Sequence, residues 1–180
     1  QQPSSSSEWR DKMATQPQLD IITITHGHLD LTIHCINNIY LHTISPFHLI
    51  VMDDSTTDMN DGTDLTPTWL WRFRARRDNM DFIHSDTPYR SSYTLLEQAF
   101  KICTTPFVAL VVNSVFVEPE WDVAALQLMR TNPQIGIIGF KSLRLGTEMI
   151  ESAGLASSSD GSSIWDIGRG QVAHRLSKVY

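Results

Sequence analysis

From Leu19 onwards, apolar and polar positions alternate between a period of about two and a helical period of about 3.6. Apolar β-branched runs predict buried strands over residues 20–25, 47–52, 81–85, 107–112 and 135–140. Helical spacing predicts helices over residues 31–41, 66–77 (with Thr66 as N-cap), 93–103 and about 119–132. Short loops between alternating strands and helices predict an α/β three-layer sandwich with a mostly parallel central sheet, Rossmann-like in type.

The first 18 residues differ in composition from the rest of the chain. Gln1–Ser7 is polar and rich in serine, and this composition predicts a flexible tail or linker over residues 1–18. The remaining residues, 19–180, are predicted to form one domain. We find no apolar run of the roughly 20 residues that a membrane span needs, and no signal segment, so the sequence predicts a cytoplasmic chain without a span.

The charge and the two cysteines exclude several classes of protein. The formal net charge is −6, which argues against binding to nucleic acid or to anionic membranes. Cys35 and Cys103 lie in apolar stretches and match no zinc spacing, so we interpret them as reduced core thiols. The sequence has neither a Gly-rich phosphate loop nor a nucleophile elbow, which argues against dinucleotide dehydrogenases, P-loop enzymes and α/β-hydrolases.

In an open parallel sheet, ligands bind at the edge formed by the carboxyl ends of the strands. The candidate residues are therefore those that end or follow the predicted strands: Thr25, His26, Asp53, Asp54, Asp86, Asn113 and Ser114. The carboxylates of Asp53 and Asp54 are suited to accept hydrogen bonds from a ribose, a base N–H or a helix N-terminus. Capping of the following loop explains the same pair equally well.

Other polar clusters have weaker interpretations. His26 and His28 suit a pocket wall for a flat ligand better than a metal pair, and residues 53–64 do not match an EF-hand. A basic segment with interleaved aromatic residues could stack on bases and contact phosphates, although a solvated helical face spread around the cylinder is favoured. This segment contains Trp69, Trp71, Arg72, Phe73, Arg74, Arg76 and Arg77.

Five segments, in order, carry a resemblance to a known family: Leu19–His28, Phe47–Asp58, Phe107–Trp121, Ile135–Lys141 and Met149–Gly154. They are similar to the opening strand and turn, the "VDDGSTD" element, the metal-motif strand with its "P-x-W", the next strand, and the "Ala-Gly" stretch of family 2 glycosyltransferases with the GT-A fold. The resemblance extends from about Leu19 to Gly170 and covers the nucleotide-sugar-binding half of that family.

The resemblance implies roles for individual residues. Thr25 and His26 would line the nucleoside pocket, with the imidazole of His26 in the place of an aromatic ring against the base. Asp54 would bind the base, with Asp53 beside it. The remaining donor-binding positions would be Asp86, near the donor, and Arg90, near the diphosphate.

The sequence departs from the family pattern at the metal motif and at the catalytic base. The family motif places carboxylates after the fourth strand to hold Mn²⁺ or Mg²⁺, whereas this chain has Asn113 and Ser114, which are weak neutral ligands. The family's base lies in the acceptor half, and Asp166 is the weak candidate here. Since the chain ends soon after, we expect a reduced transferase or a partner domain beyond Tyr180.

The sequence therefore favours a hexosyl-type glycosyltransferase that takes a sugar from a nucleoside diphosphate sugar to an unknown glycan, lipid or protein acceptor. The alternative is a non-catalytic GT-A-like binding or scaffold domain of a larger protein or complex. A Rossmann-like nucleotide binder such as a methyltransferase is disfavoured, because the first turn lacks the expected glycines.

Overall fold

The computed structural model describes residues 16–54, 64–85, 92–153, 155–157, 164–166 and 169–172. The chain divides into two compact units, Gln1–Leu128 and Met129–Tyr180. The boundary between the units falls inside the segment 19–180 that the sequence predicts as one domain.

The first unit contains a four-stranded parallel sheet with helices between the strands, as the sequence predicts. Its elements in chain order are β1 (Leu19–Thr25), α1 (Leu29–His42), β2 (Phe47–Asp53), α2 (Thr66–Arg74), β3 (Met80–His84), α3 (Ser92–Ile102), β4 (Phe107–Leu110) and most of α4 (Trp121–Thr131), which ends three residues past the boundary. The strand order in the sheet is β3-β2-β1-β4, and every pair of neighbouring strands is parallel. This arrangement confirms the α/β fold class with a parallel central sheet.

Alternate residues of β1 and β2 pack on opposite faces of the sheet, which produces three layers. Ile21 and Val51 belong to a core cluster that includes residues of α1, α2 and α4. Ile22 and Ile50 belong to a second cluster with residues of α3. Because both faces of the central strands are covered, β1 and β2 are continuous apolar runs rather than alternating ones.

Both cysteines are free thiols in the first unit, as predicted. Cys35 is fully buried on α1, and burial raises the pKa of its thiol to about 12. A thiol with so high a pKa is almost entirely protonated at neutral pH and is a poor nucleophile. The role of Cys35 in the structure is therefore packing.

The start of α2 lies one residue earlier than predicted. Leu65 occupies the N-cap position and Thr66 is already helical, followed by Pro67. A carboxylate oxygen of Asp64 accepts the backbone N–H of Thr66 at 2.8 Å, which satisfies one of the N–H groups that the first turn leaves without a helical partner.

The second unit contains short antiparallel strand pairs. They are β5 (Ser142–Leu143) with β6 (Ile150–Ser152), and β7 (Leu155–Ser157) with β8 (Ile164–Asp166). The predicted strand over residues 135–140 is wrong, because the structure describes this segment without strand geometry and Ile137 is 90% exposed. An apolar β-branched run forms a strand only where a neighbouring strand takes up its backbone hydrogen bonds.

In the part of the chain that the structure describes, no helix has both the length and the apolar character that crossing a bilayer requires.

The amino end of β1 carries a fully buried carboxylate, Asp20. One of its oxygens accepts hydrogen bonds from the backbone N–H groups of Thr104 and Thr105 at 2.7 and 2.8 Å and from the Thr105 hydroxyl. The other oxygen lies 3.1 Å from Nδ1 of His48 on β2. Asp20 therefore connects β1 both to β2 and to the turn that leads into β4.

These hydrogen bonds also set the ionisation of Asp20. Burial opposes the charged form, but the hydrogen bonds from Thr105, Thr104 and His48 outweigh it and lower the pKa of Asp20 below its ordinary value of 3.8. A carboxylate with a lower pKa in the folded state stabilises the fold at neutral pH.

We expect Asp20→Asn to lower the free energy of unfolding by about 1.5–3 kcal/mol at pH 7, because hydrogen bonds to a charged acceptor are lost. The contribution of Asp20 is fully present above its unfolded-state pKa and is lost as the pH falls through its folded-state pKa. Urea denaturation should therefore show a difference in the free energy of unfolding between wild type and variant that is smaller at about pH 2.5 than at pH 7.

Asp81→Asn is the matched control, because the side chain of Asp81 is 48% exposed and lies 3.3 Å from Nε2 of the same His48. Its effect should stay below about 1 kcal/mol, as for other exposed ion pairs. The assigned role of Asp20 would be contradicted if Asp20→Asn and Asp81→Asn lowered the free energy of unfolding equally. It would also be contradicted if the difference between wild type and Asp20→Asn were the same at both pH values.

Candidate functional site

The carboxyl ends of the first three strands lie side by side. In the register of the sheet, Thr25 at the end of β1 pairs with Asp53 at the end of β2, and Asp53 pairs with His84 at the end of β3. The backbone pairing continues past the strand ends, since the N–H of Asp54 donates to the carbonyl of Thr25 at 3.3 Å and that of Ser85 to the carbonyl of Asp53 at 3.2 Å. The edge therefore presents a row of polar side chains at one level.

Asp53 is the centre of this row and is completely buried. The hydroxyl of Thr25 donates to one carboxylate oxygen at 2.6 Å, and Nδ1 of His84 lies 2.7 Å from the other oxygen. An ionised carboxylate only accepts hydrogen bonds, so Nδ1 of His84 carries the hydrogen in this contact. Asp53 thus acts inside the protein, where it fixes the positions of its two neighbours.

Asp54 follows at the edge and contacts the turn after β1. Nδ1 of His26 makes a short contact with a carboxylate oxygen of Asp54. The side chain of His26 is 69% exposed, whereas that of Asp54 is 11% exposed. The pair therefore presents an exposed imidazole ring beside a carboxylate that is fixed in position, which is an arrangement suited to a flat ligand with N–H donors.

The turn that carries His26 has an uncommon backbone. Gly27 and His28 both have positive φ values, 61° and 54°, and His28 is the N-cap of α1. Glycine adopts this region without steric cost, whereas a side chain such as His28 costs about 1 kcal/mol there. Strain of this kind is found often at ligand sites. The tight turn brings the N-terminus of α1 next to the strand ends.

Asn113, which follows β4, is connected to the same turn. Its side-chain N–H donates to the hydroxyl of Thr32 on α1 at 3.3 Å, and that hydroxyl lies 3.5 Å from the carbonyl of Gly27. Thr32 is buried, while Ser114 is exposed. The structure therefore brings Asn113 towards the turn after β1, the turn that also carries His26.

The residues at the metal-motif position do not fit a Mn²⁺ or Mg²⁺ ion. Asn113 uses its amide N–H on Thr32, and neither it nor Ser114 supplies a carboxylate, the ligand that hard cations prefer. Within the described ranges, no group of three or more His, Cys, Asp or Glu side chains is arranged to hold a metal. We therefore assign no chemical step to a metal at these two residues.

The sequence also predicted three further site residues, Asp86, Arg90 and Asp166. Asp86 and Arg90 lie outside the described residues. Asp166 ends β8 in the second unit, where it pairs with Leu155. The predicted base role of Asp166 and the predicted donor contacts of Asp86 and Arg90 stay predictions.

His84 is the site residue that the sequence analysis missed. It is the last residue of β3, and its side chain is 25% exposed. Thr25 and Asp53 are predicted as site residues because each is a polar residue at the end of a buried parallel strand. The same criterion applied at residue 84 identifies His84. The predicted strand instead extended one residue too far, to Ser85.

Comparison with known proteins gives no match to any family model and none to the curated proteins. Solved structures do match. TarS 1–349 from S. aureus matches with a TM-score of 0.55 and 16% identity, over 78% of this chain and 41% of the 1–349 structure. A mannosyltransferase from Pyrobaculum calidifontis, in complex with GDP-Man and Mn²⁺, matches with a TM-score of 0.55 and 18% identity, over 72% of this chain and 40% of the enzyme.

TarS 1–349 in complex with UDP-GlcNAc matches as well, with a TM-score of 0.56 and 14% identity, over 73% of this chain and 38% of that structure. The chain thus spans about two fifths of the length of these structures. At such identities the likeness concerns the fold. The chain has a GT-A glycosyltransferase-like fold.

Proposed function

We propose that this chain is the donor-binding part of a family 2 glycosyltransferase and binds a nucleoside diphosphate sugar at the carboxyl edge of its sheet. The observation that carries the proposal is the His26–Asp54 pair beside the buried row formed by Thr25, Asp53 and His84. The matched structures in complex with UDP-GlcNAc and GDP-Man support the choice of ligand class.

Each member of the site has a task that follows from its contacts. The exposed ring of His26 stacks on the base, and the carboxylate of Asp54 accepts a hydrogen bond from a ring N–H. Asp53 is a positioning residue, because its oxygens are already used by Thr25 and His84. The backbone N–H groups at the start of α1 favour an anionic group such as the diphosphate.

The full reaction would transfer the sugar from the diphosphate to an acceptor hydroxyl, which a general base must deprotonate. Asp166 is the sequence-derived candidate for that base, and its role is part of the proposal. The acceptor class, whether glycan, lipid or protein, depends on residues outside the strand-end site.

We expect calorimetric titration with UDP, GDP and dTDP sugars to detect binding of at least one donor. Asp54→Asn should weaken that binding by about tenfold or more, because the amide replaces an acceptor with a donor opposite the base N–H. The free energy of unfolding of this variant should be measured in parallel, so that loss of fold is separated from loss of binding.

Asp81→Asn is again a suitable control, because it removes a half-exposed carboxylate from a different strand without touching the site. It should leave the donor affinity within about twofold of wild type. Absence of binding to every nucleotide sugar would refute the proposal, and equal weakening in both variants would refute the role of Asp54.

We also expect Mn²⁺ to change the donor affinity of the wild-type chain by less than about twofold, because Asn113 and Ser114 supply no carboxylate. Ser114→Asp places a carboxylate at an exposed position of the motif, and donor binding should then become Mn²⁺-dependent by about tenfold. Ser114→Asn is the neutral control, and calorimetry with and without Mn²⁺ is the measurement. A strong Mn²⁺ effect on the wild type would contradict this expectation.

A second candidate function is a non-catalytic binding or scaffold module. The neutral side chains of Asn113 and Ser114, which supply no carboxylate to a metal, favour this candidate. This candidate also accounts for donor binding without a metal. Donor hydrolysis or sugar transfer by the purified 180-residue chain would exclude it. Donor binding without turnover would favour it over the enzyme.

A further inference from the structure

A pocket of about 350 Å³ lies beside α2, away from the strand-end site, and is lined by Trp69, Arg72, Phe73, Arg76 and Arg77. These five residues of the basic segment share one pocket, whereas Arg74 pairs with Asp81 and Trp71 packs against Phe82, so the segment as a whole does spread around the helix. A volume of this size is within the range of small-molecule sites.

The aromatic part of the pocket is held rigidly by stacking. The ring centroids of Trp69 and Phe73 are 4.7 Å apart with an interplanar angle of 29°. The guanidinium of Arg77 lies 3.7 Å from the ring centroid of Phe73 and 4.7 Å from that of Tyr40. Arg77 is thus fixed between two rings by cation–π contacts, and its charge is presented in a defined position.

No carboxylate balances the charge of this pocket within the described ranges. Arg74 pairs with Asp81 at 4.0 Å and does not line the pocket, whereas Arg72, Arg76 and Arg77 form no ion pair there. Burial raises the pKa of Tyr40 to about 12, against the opposing charge of Arg77, so Tyr40 is a neutral hydroxyl at pH 7. Arg72, Arg76 and Arg77 are neighbouring cations that repel one another, although the whole chain carries a net charge of −6. A bound anion would relieve this repulsion.

The pocket lies at the opposite end of β2 from the strand-end site. Tyr40 packs edge-on against Phe47, the first residue of β2, with 5.1 Å between ring centroids, while Asp53 is the last residue of the same strand. Six strand steps separate the two ends by about 20 Å. A ligand at the strand ends therefore does not fill this pocket.

We propose that this pocket is a second, separate binding site that takes the phosphate group of an organic phosphate. Three guanidinium groups match the two negative charges of a phosphate better than the single charge of a carboxylate. Each planar guanidinium group can bind two phosphate oxygens through two parallel N–H donors. The stacked rings of Trp69 and Phe73 form an apolar wall for the body that carries the phosphate.

The test is calorimetry of the whole 180-residue chain with inorganic pyrophosphate, with acetate as the carboxylate control, in about 50 mM salt to limit screening. Arg72→Ala combined with Arg76→Ala should weaken pyrophosphate binding by about tenfold or more, since both side chains are exposed and lose paired hydrogen bonds. Arg74→Ala is the matched control on the same helix and should change the affinity by less than about twofold.

The double alanine variant separates this site from the proposed donor site, because it should keep its affinity for a nucleotide sugar within about twofold of wild type. No binding by the wild type, unchanged pyrophosphate binding in the double variant, equal weakening by Arg74→Ala, acetate binding as strong as pyrophosphate binding, or an equal loss of nucleotide-sugar affinity in the double variant would each overturn the proposal. If the double alanine variant does not fold by circular dichroism, Arg72→Lys with Arg76→Lys replaces it. The lysine variant keeps the positive charges but lacks the planar guanidinium groups, and it should weaken pyrophosphate binding by about threefold or more.

Two sources could supply the phosphate, a soluble metabolite or a lipid headgroup. Co-sedimentation with phosphatidylcholine vesicles that contain phosphatidic acid, dependent on Arg72 and Arg76, assigns the site to a headgroup. Pyrophosphate binding without co-sedimentation assigns it to a soluble phosphate. Both results support the phosphate site.

Discussion

The buried carboxylate of Asp53 is the constraint on which the strand-end site depends. A carboxylate without water must receive hydrogen bonds from its surroundings, and Asp53 receives them from Thr25 and His84. These donors are on the two strands that flank β2, at the same level. A shift of either strand by one residue would turn its donor to the other face of the sheet. The carboxylate therefore fixes the register of three strands.

The carboxylate of Asp54, which follows Asp53, has a different role because of the register of β1, β2 and β3. Asp54 lies one step beyond the fixed row, next to the turn that begins at His26, and the two side chains meet at the edge of the sheet. Asp20 has at the amino end of β1 a role like that of Asp53, since it joins β1 to β2 and to the turn before β4. Buried carboxylates thus determine the alignment of the sheet, and apolar packing supplies most of its stability.

The sequence predicted what depends on local pattern and missed what depends on pairing. The strands and helices up to β4 follow from apolar periodicity, and Asp53 with Asp54 follows from its position after a buried run. The contact of His84 with Asp53 depends on the register between β2 and β3, which no local pattern contains. The pattern of residues 135–140 is that of a strand, yet this segment forms no strand in the described part of the chain. The fixed position of Arg77 in the pocket beside α2 depends on tertiary packing, since its guanidinium lies between the rings of Phe73 and Tyr40.

The distribution of charge sets the remaining condition on the proposed donor site. Its described side chains include two carboxylates, Asp53 and Asp54, while the arginines that line the pocket beside α2 lie about 20 Å away at the other end of β2. A diphosphate at the strand ends would therefore meet repulsion from Asp54 and gain nothing from those arginines. Its charge must be balanced by the amide groups at the start of α1 and by a cation such as the sequence-predicted Arg90. Balance of the diphosphate charge, more than recognition of the base, therefore limits how tightly this edge can hold a nucleotide sugar.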